Sequence, residues 1–179
     1  MKPISKELWE QIRPHVISAS MGFFSTYGAD CEYRGETHEV LIPTLGVLGA
    51  VGFYGEQLCG NLAISAPMNL VQRTFPLQTQ QLDDWLDWMG EVANQLLGRL
   101  KNQLIPYGVV LESGLPITAS GVDLVTHLSG GDITHALQFA YAGERIYLQI
   151  DGKSTPGLVL RASPSLSKAP VVEGEMLLF

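Results

Sequence analysis

Apolar residues at helical spacing form the most regular pattern in this chain, from about Thr79 to Ile105. They recur every three or four positions, which gives the predicted helix one continuous apolar face. The members of that face are Leu82, Trp85, Leu86, Met89, Val92, Ala93, Leu96, Leu97, Leu100 and Leu104. Thr79 is the expected N-cap. A second long helix is predicted from about Ser5 to Phe24, with a kink at Pro14 because proline lacks a backbone N–H.

Alternating apolar and polar residues follow each predicted helix and favour antiparallel hairpins. The predicted strands are residues 45–53, 58–65, 122–128, 133–141 and 146–150. Between the second helix and its hairpins, a bend is expected at residues 113–116, with a short extended piece on either side. The glycines at positions 46, 49 and 52 predict either a bulge or the close approach of a helix. The order of elements is therefore a long helix followed by hairpins, and it occurs twice.

Composition favours a folded domain of ordinary size. The chain has 179 residues, of which 46% are hydrophobic and 16% are charged, so a sizeable core is expected. No domain boundary is indicated before Ser163, and residues 1–162 are interpreted as one domain. Residues 163–170 are rich in Ser and Pro and predict a loop. Residues 171–179 end in apolar side chains, and this tail is expected to pack on the same domain.

Charge and cysteine content narrow the classes of partner and compartment. A net charge of −7 argues against nucleic acid and anionic membrane as partners, because both require basic patches. The sequence contains no secretion-type leader and no apolar run approaching the roughly 20 residues that span a bilayer. A cytoplasmic location is therefore predicted, with the Cys31 and Cys59 thiols reduced rather than joined. The histidines show no metal-ligand spacing, so no metal site is predicted.

The polar face of the second predicted helix is unusual in composition. It carries a row of acids, then an asparagine, then a glycine; the row is Asp84, Asp87, Glu91, Asn94 and Gly98, followed by Lys101. Asparagine and glycine are poor helix formers, glycine by about 1 kcal/mol relative to alanine. A solvated surface is the ordinary interpretation of an acidic helix face. That interpretation does not explain the asparagine and the glycine, which need a further reason to be there.

The spacing of these residues matches a known pattern. Asp87 is followed after three residues by Glu91, after two more by Asn94, and after twenty-one more by Pro116. This resembles the Asp/Ser-x3-Glu-x2-Asn-x21/22-Pro pattern of the CheC, CheX and FliY phosphatases of bacterial chemotaxis, which dephosphorylate the response regulator CheY. The resemblance implies an α+β fold in which a duplicated helix-and-strands unit places two long helices on one antiparallel sheet.

The resemblance also implies a role for each residue of the pattern. Asn94 would hold the water that attacks the aspartyl phosphate of a CheY-like receiver, because a carboxamide offers a donor and an acceptor at fixed geometry. Glu91 would dock by pairing with a lysine of the receiver's active site. Asp87, Gly98 and Pro116 would support docking, with Pro116 shaping a loop beside the helix. No cofactor is expected, since the receiver supplies its own Mg²⁺.

Two further expectations concern the number of sites and the assembly. CheC-like proteins carry Glu-x2-Asn on both long helices, but this chain has no asparagine before Asn61, and Gln11 is the only carboxamide in the first helix. One site per chain is therefore predicted, as in CheX. A homodimer is predicted from the resemblance, with Val171-Val172 and residues 176–179 as candidate apolar edges. The alternative to an enzyme is a non-catalytic adaptor that docks a receiver, or another signalling protein, through the same face.

Overall fold

The computed structural model describes residues 1–74, 81–128 and 134–161, and within them two long helices lie on an antiparallel sheet. The helices are α1 (Lys6–Thr26), α2 (Met68–Thr74) and α3 (Leu82–Leu104), with a 3-10 turn at Ile105–Tyr107. The strands are β1 (Lys2–Pro3), β2 (Glu32–Thr37), β3 (Leu41–Ile42), β4 (Gly46–Tyr54), β5 (Leu58–Pro67), β6 (Glu112–Gly121), β7 (Leu124–Val125), β8 (Thr134–Tyr141) and β9 (Glu144–Ser154). None of the helices in these ranges is long and apolar enough to cross a membrane.

The main sheet has the strand order β2-β8-β9-β5-β4-β6, and β1 also pairs with β9. Every pair is antiparallel. Helix α3 packs on β4, β6 and β5, and α1 lies beside α3. The predicted fold class, two long helices on one antiparallel sheet, is confirmed. The separate β3–β7 pair contributes to a small second core with Val40, Ala136 and Tyr147.

The apolar face predicted for α3 is buried where the helix crosses the sheet. Its buried side chains are Met89, Val92, Ala93, Leu96, Leu97, Leu100 and Leu104, while Leu82 at the start of the helix is 44% exposed. Full burial of one leucine side chain is worth about 1.5–3 kcal/mol, so this face anchors the helix firmly. Helix α1 begins after the N-cap Ser5, whose hydroxyl accepts from Leu8 N, and continues through Pro14 to Thr26.

Two of the three strand glycines have the roles that the sequence predicted. A Cβ on Gly49 would lie 2.1 Å from the Met89 carbonyl oxygen, so the backbone of α3 rests directly on β4 there. Gly52 faces a bulge, since Val51 pairs with Pro116 and Phe53 pairs with Ser113. Two residues of β6 therefore face one residue of β4.

Two predictions about strands were wrong. Residues 113–116 do not bend between two short pieces; they belong to the continuous strand β6, which absorbs one extra residue in the bulge. Residues 122–128 do not form one strand: only Leu124 and Val125 do, and they pair with β3 outside the main sheet. The turn after Gly121, where Asp123 has φ 51°, redirects the chain at that point.

Other predictions lie outside the described residues. They are the Thr79 cap and the segment 163–179, including its candidate apolar edges. The N-cap of α3 is Gln81, whose side chain makes no capping hydrogen bond. The division of the chain at residue 163 stays a prediction.

Candidate functional site

Helix α3 places four of the five predicted site residues in one row on its outer face. Asp87 and Glu91 are exposed, and Asn94 and Gly98 are half-buried. At a rise of 1.5 Å per residue the row is roughly 16 Å long. Because the opposite face of the helix is buried on the sheet, the row is held on a rigid element.

The fifth residue, Pro116, lies beneath the row in strand β6 rather than in a loop beside the helix. A Cβ on Gly90 would lie 3.5 Å from the Pro116 Cβ and Cγ, and 3.4 Å from the Thr118 Cγ2. The helix turn that carries Glu91 therefore packs on Pro116 at ordinary van der Waals distance. Pro116 can support the position of this turn, but it does not reach the exposed face.

The Asn94 carboxamide is available to a bound molecule. Within the described ranges its side chain makes no hydrogen bond to another residue, and it is only half-buried. A carboxamide has two N–H donors and an acceptor oxygen, all of them free here for a water or an oxyanion. It lies one helical turn from Glu91, on the same face.

The Glu91 carboxylate accepts a hydrogen bond through one of its two oxygens. The Gln95 Nε2 donates to the Glu91 Oε1 at 2.8 Å, and the hydroxyl of Tyr27, the C-cap residue of α1, donates to the Gln95 Oε1 at 3.0 Å. Among the described residues, the ion pairs of the structure do not include Glu91 or Asp87. The second carboxylate oxygen of Glu91 is therefore open to a cationic partner. Sequence analysis did not identify Gln95, although its spacing of four from Glu91 was a usable signal.

Packing within the described part of the chain does not require a glycine at position 98. A Cβ at this position would have no heavy atom within 4 Å, whereas glycine in a helix costs about 1 kcal/mol relative to alanine. Nothing within the described part of the chain compensates for this cost. The glycine is explained if a second molecule approaches the helix closely at this turn.

The one carboxamide of α1, Gln11, is already bonded within the chain itself. The Gln11 Nε2 donates to the Glu7 carbonyl oxygen at 3.0 Å, and its Oε1 accepts from the Leu160 N at 2.8 Å. The carboxamide is thus used on both sides, and the segment around Leu158 and Leu160 packs against the same core. This arrangement leaves α1 without an open amide at Gln11.

Two other reactive side chains, Cys31 and His135, are used in packing. Burial raises the pKa of the Cys31 thiol to about 11, so it is protonated at neutral pH and unsuited to nucleophilic chemistry. His135 stacks on Trp9 with ring centroids 4.0 Å apart, and burial lowers the pKa of His135. In the described ranges, no group of three His, Cys, Asp or Glu side chains is arranged to hold a metal ion.

No protein-family model and no curated protein sequence matches this chain. Solved structures do match it. The chemotaxis protein CheX from Vibrio vulnificus superposes with a TM-score of 0.70 at 17% identity, covering 80% of this chain and 99% of that one. A CheC-like superfamily protein from Shewanella sp. PV-4 gives 0.69 at 18% identity, with 80% and 97% covered. The CheX of a CheX–CheY–BeF3–Mg²⁺ complex from Borrelia burgdorferi gives 0.64 at 17% identity, with 80% and 97% covered.

Proposed function

We propose that this chain, which has the fold of the CheX and CheC-like chemotaxis proteins, hydrolyses the aspartyl phosphate of a CheY-like receiver domain. The fold resemblance inferred from the sequence is confirmed by the solved structures. The observation that carries the activity is the outer face of α3. An unbonded carboxamide, Asn94, lies there one turn from Glu91, a carboxylate with one oxygen open.

The proposed reaction needs little from this chain beyond positioning. The oxygen of a water attacks phosphorus, the bond from phosphorus to the aspartyl oxygen breaks, and the products are inorganic phosphate and the free carboxylate. Phosphoryl transfer of this kind depends mainly on in-line placement and charge stabilisation. Asn94 would hold the water in line, and the receiver would supply the Mg²⁺. An amide keeps this role across neutral pH because it does not titrate there.

Docking follows from the charges and shape of the same face. The open oxygen of Glu91 would accept from a lysine of the receiver, and charge-assisted hydrogen bonds of this type are the stronger ones. Asp87 would extend the acidic surface by one turn, and Gly98 would allow the receiver's backbone to approach. The Borrelia burgdorferi structure of this fold contains CheY with BeF3 and Mg²⁺, which supports a receiver as partner. A cytoplasmic location belongs to the same proposal.

A phosphate-release assay tests the proposal directly. A panel of CheY-like receivers is phosphorylated with a small-molecule donor, the donor is removed, and phosphate is measured with and without this chain. We expect at least one receiver to lose phosphate faster when the chain is added in substoichiometric amounts. Binding to a phosphorylated receiver without any acceleration would show the adaptor instead. No acceleration and no binding across the panel would contradict both.

We also propose a homodimer that uses the edge strand β6. This strand pairs only with β4 among the described residues, and its Leu115 and Ile117 side chains are 90% and 69% exposed. An exposed apolar edge strand favours pairing with another chain. Light scattering at micromolar concentration should give the mass of two chains, and Ile117→Lys should reduce it to one. A monomer across the whole concentration range would contradict the dimer.

A further inference from the structure

We infer that Gln95 is a positioning residue for receiver docking: it orients the Glu91 carboxylate and is itself fixed by Tyr27, the C-cap of α1. This inference rests on the proposed function and assigns part of the site to residues outside the sequence pattern. Gln95 touches neither water nor phosphate in the proposed reaction. It acts through Glu91.

The geometry is a directed chain of hydrogen bonds from α1 to the site. The Tyr27 hydroxyl donates to the Gln95 Oε1 at 3.0 Å, and the Gln95 Nε2 donates to the Glu91 Oε1 at 2.8 Å. A carboxylate can only accept, so the amide must present its nitrogen to Glu91 and its oxygen to Tyr27. The orientation of the Gln95 amide is therefore fixed from both ends.

Packing fixes the Tyr27 end of this chain. The Tyr27 ring meets Trp88 edge-on with centroids 5.1 Å apart, and it lies 5.0 Å from the Phe23 ring. The Tyr27 backbone N–H caps α1 by donating to the Phe24 carbonyl oxygen at 3.1 Å. The phenol thus belongs to the packed boundary between α1 and α3. The packed Tyr27 ring therefore fixes the Gln95 amide, and Gln95 in turn restricts the otherwise exposed Glu91 carboxylate.

The energetic value of this arrangement lies in pre-organisation. A glutamate on an exposed helix face has several rotamers, and fixing one of them on binding costs conformational entropy. The bond from Gln95 restricts Glu91 before the partner arrives and uses only one of its two oxygens. The other oxygen remains available to a cation. Removing this restraint should weaken docking without changing the chemical step.

Steady-state dephosphorylation kinetics of Gln95→Leu provide the test. Leucine has a similar size and helix propensity but cannot form either hydrogen bond. We expect KM for the phosphorylated receiver to rise about two- to tenfold, with kcat within about twofold of wild type. Tyr27→Phe, which removes one hydroxyl only, should raise KM in the same direction and by less.

A matched control comes from the same helix pair. Gln103 also links α3 to α1, and its carboxamide lies 3.2 Å from the His15 Nδ1 and from the Ser18 Oγ. It lies eight residues beyond Gln95, about 12 Å further along the helix. Gln103→Leu should leave KM unchanged. If it raised KM as much as Gln95→Leu does, the effect would be a general loss of helix packing and the inference would be overturned.

Two further readouts separate this inference from the proposed function. In a Glu91→Ala background, Gln95→Leu should leave KM unchanged, because Gln95 acts only through that carboxylate. NMR scalar couplings should show one Glu91 rotamer in wild type and averaging in Gln95→Leu, without any receiver present. An active wild type in which Gln95→Leu alters neither KM nor the couplings would overturn the inference alone. An inactive wild type would overturn the proposed function, and the docking role with it.

Discussion

The two long helices share an architecture but leave their polar faces in different states. Both are amphipathic, with 21 residues in α1 and 23 in α3, and both bury one side in the same core. On α1 the Gln11 carboxamide forms hydrogen bonds with Glu7 and Leu160, so its nitrogen and its oxygen both have partners within the chain. On α3 the Asn94 carboxamide has no hydrogen bond within the described ranges. The proposed function therefore rests on what the polar face of α3 leaves unpaired and not on its amphipathicity, which α1 shares.

The largest expected effect comes from replacing the α3 amide, Asn94, with alanine. Asn94→Ala should reduce receiver dephosphorylation by about a hundredfold or more, since loss of one positioning group at a reacting centre typically has this size. Binding of the phosphorylated receiver should remain, because the amide is small and neutral. Gln11→Ala is the matched control on α1 and should keep near-full activity. Near-full activity in Asn94→Ala, or an equal loss in Gln11→Ala, would show that the two helices do not differ in the way proposed.

Glu91→Ala tests docking by the same face and should have the next largest effect. The variant removes the only predicted charged contact to the receiver's lysine, so affinity and activity should fall together, by on the order of tenfold at low salt. Titration calorimetry with a BeF3-activated receiver measures the loss. The control on α1 is Glu7→Ala, which removes an exposed carboxylate from the first turn of that helix and should not alter affinity. A normal Kd in Glu91→Ala would exclude this carboxylate from the interface.

Gly98→Ala separates the effect of this glycine on stability from its effect on docking. A Cβ there meets no heavy atom within 4 Å, so alanine should stabilise the free chain slightly, by about 0.4–1 kcal/mol in chemical denaturation. Docking should nevertheless weaken a few-fold, because the added methyl group stands where the receiver approaches. Gly49→Ala is the opposite case: its Cβ would lie 2.1 Å from the Met89 carbonyl oxygen, so stability should fall. Unchanged docking in Gly98→Ala would remove Gly98 from the interface.

The smallest effect concerns the structural role of α1. Trp9 of α1 stacks on His135, and the buried His135 Nε2 makes no hydrogen bond within the described residues. Because burial lowers the pKa of His135, the unfolded chain binds this proton at a higher pH than the folded chain does. Stability should therefore decline as the pH falls through the ordinary histidine value of about 6.5. His135→Phe keeps the stack and should flatten this part of the denaturation profile; an unchanged slope would contradict the assignment.

The sequence predicted the parts of the structure that depend on local periodicity. The apolar face of α3, the hairpins and the row from Asp87 to Gly98 follow from spacings within one helix or strand. Pro116 was predicted in a loop, because a Gly-Leu-Pro run usually ends a strand, and the bulge that keeps it in β6 depends on its partner β4.

The contacts that distinguish the two helices join residues far apart in the sequence. Tyr27 reaches Gln95 across 68 positions, and Gln11 reaches Leu160 across 149. Such pairs depend on how the elements pack together, so a pattern along the chain does not reveal them. Sequence therefore located the candidate amide on α3, and the structure was needed to show that the amide on α1 is already used.

The most direct test maps the receiver onto the two helices. Asn94→Ala is titrated with a receiver activated by BeF3 and Mg²⁺, and backbone amide shifts are followed by NMR. We expect one receiver per chain, with perturbations centred on Asp87, Glu91 and Gly98 and none on the outer face of α1. Two receivers per chain, or perturbations centred on α1 around Gln11, would contradict it.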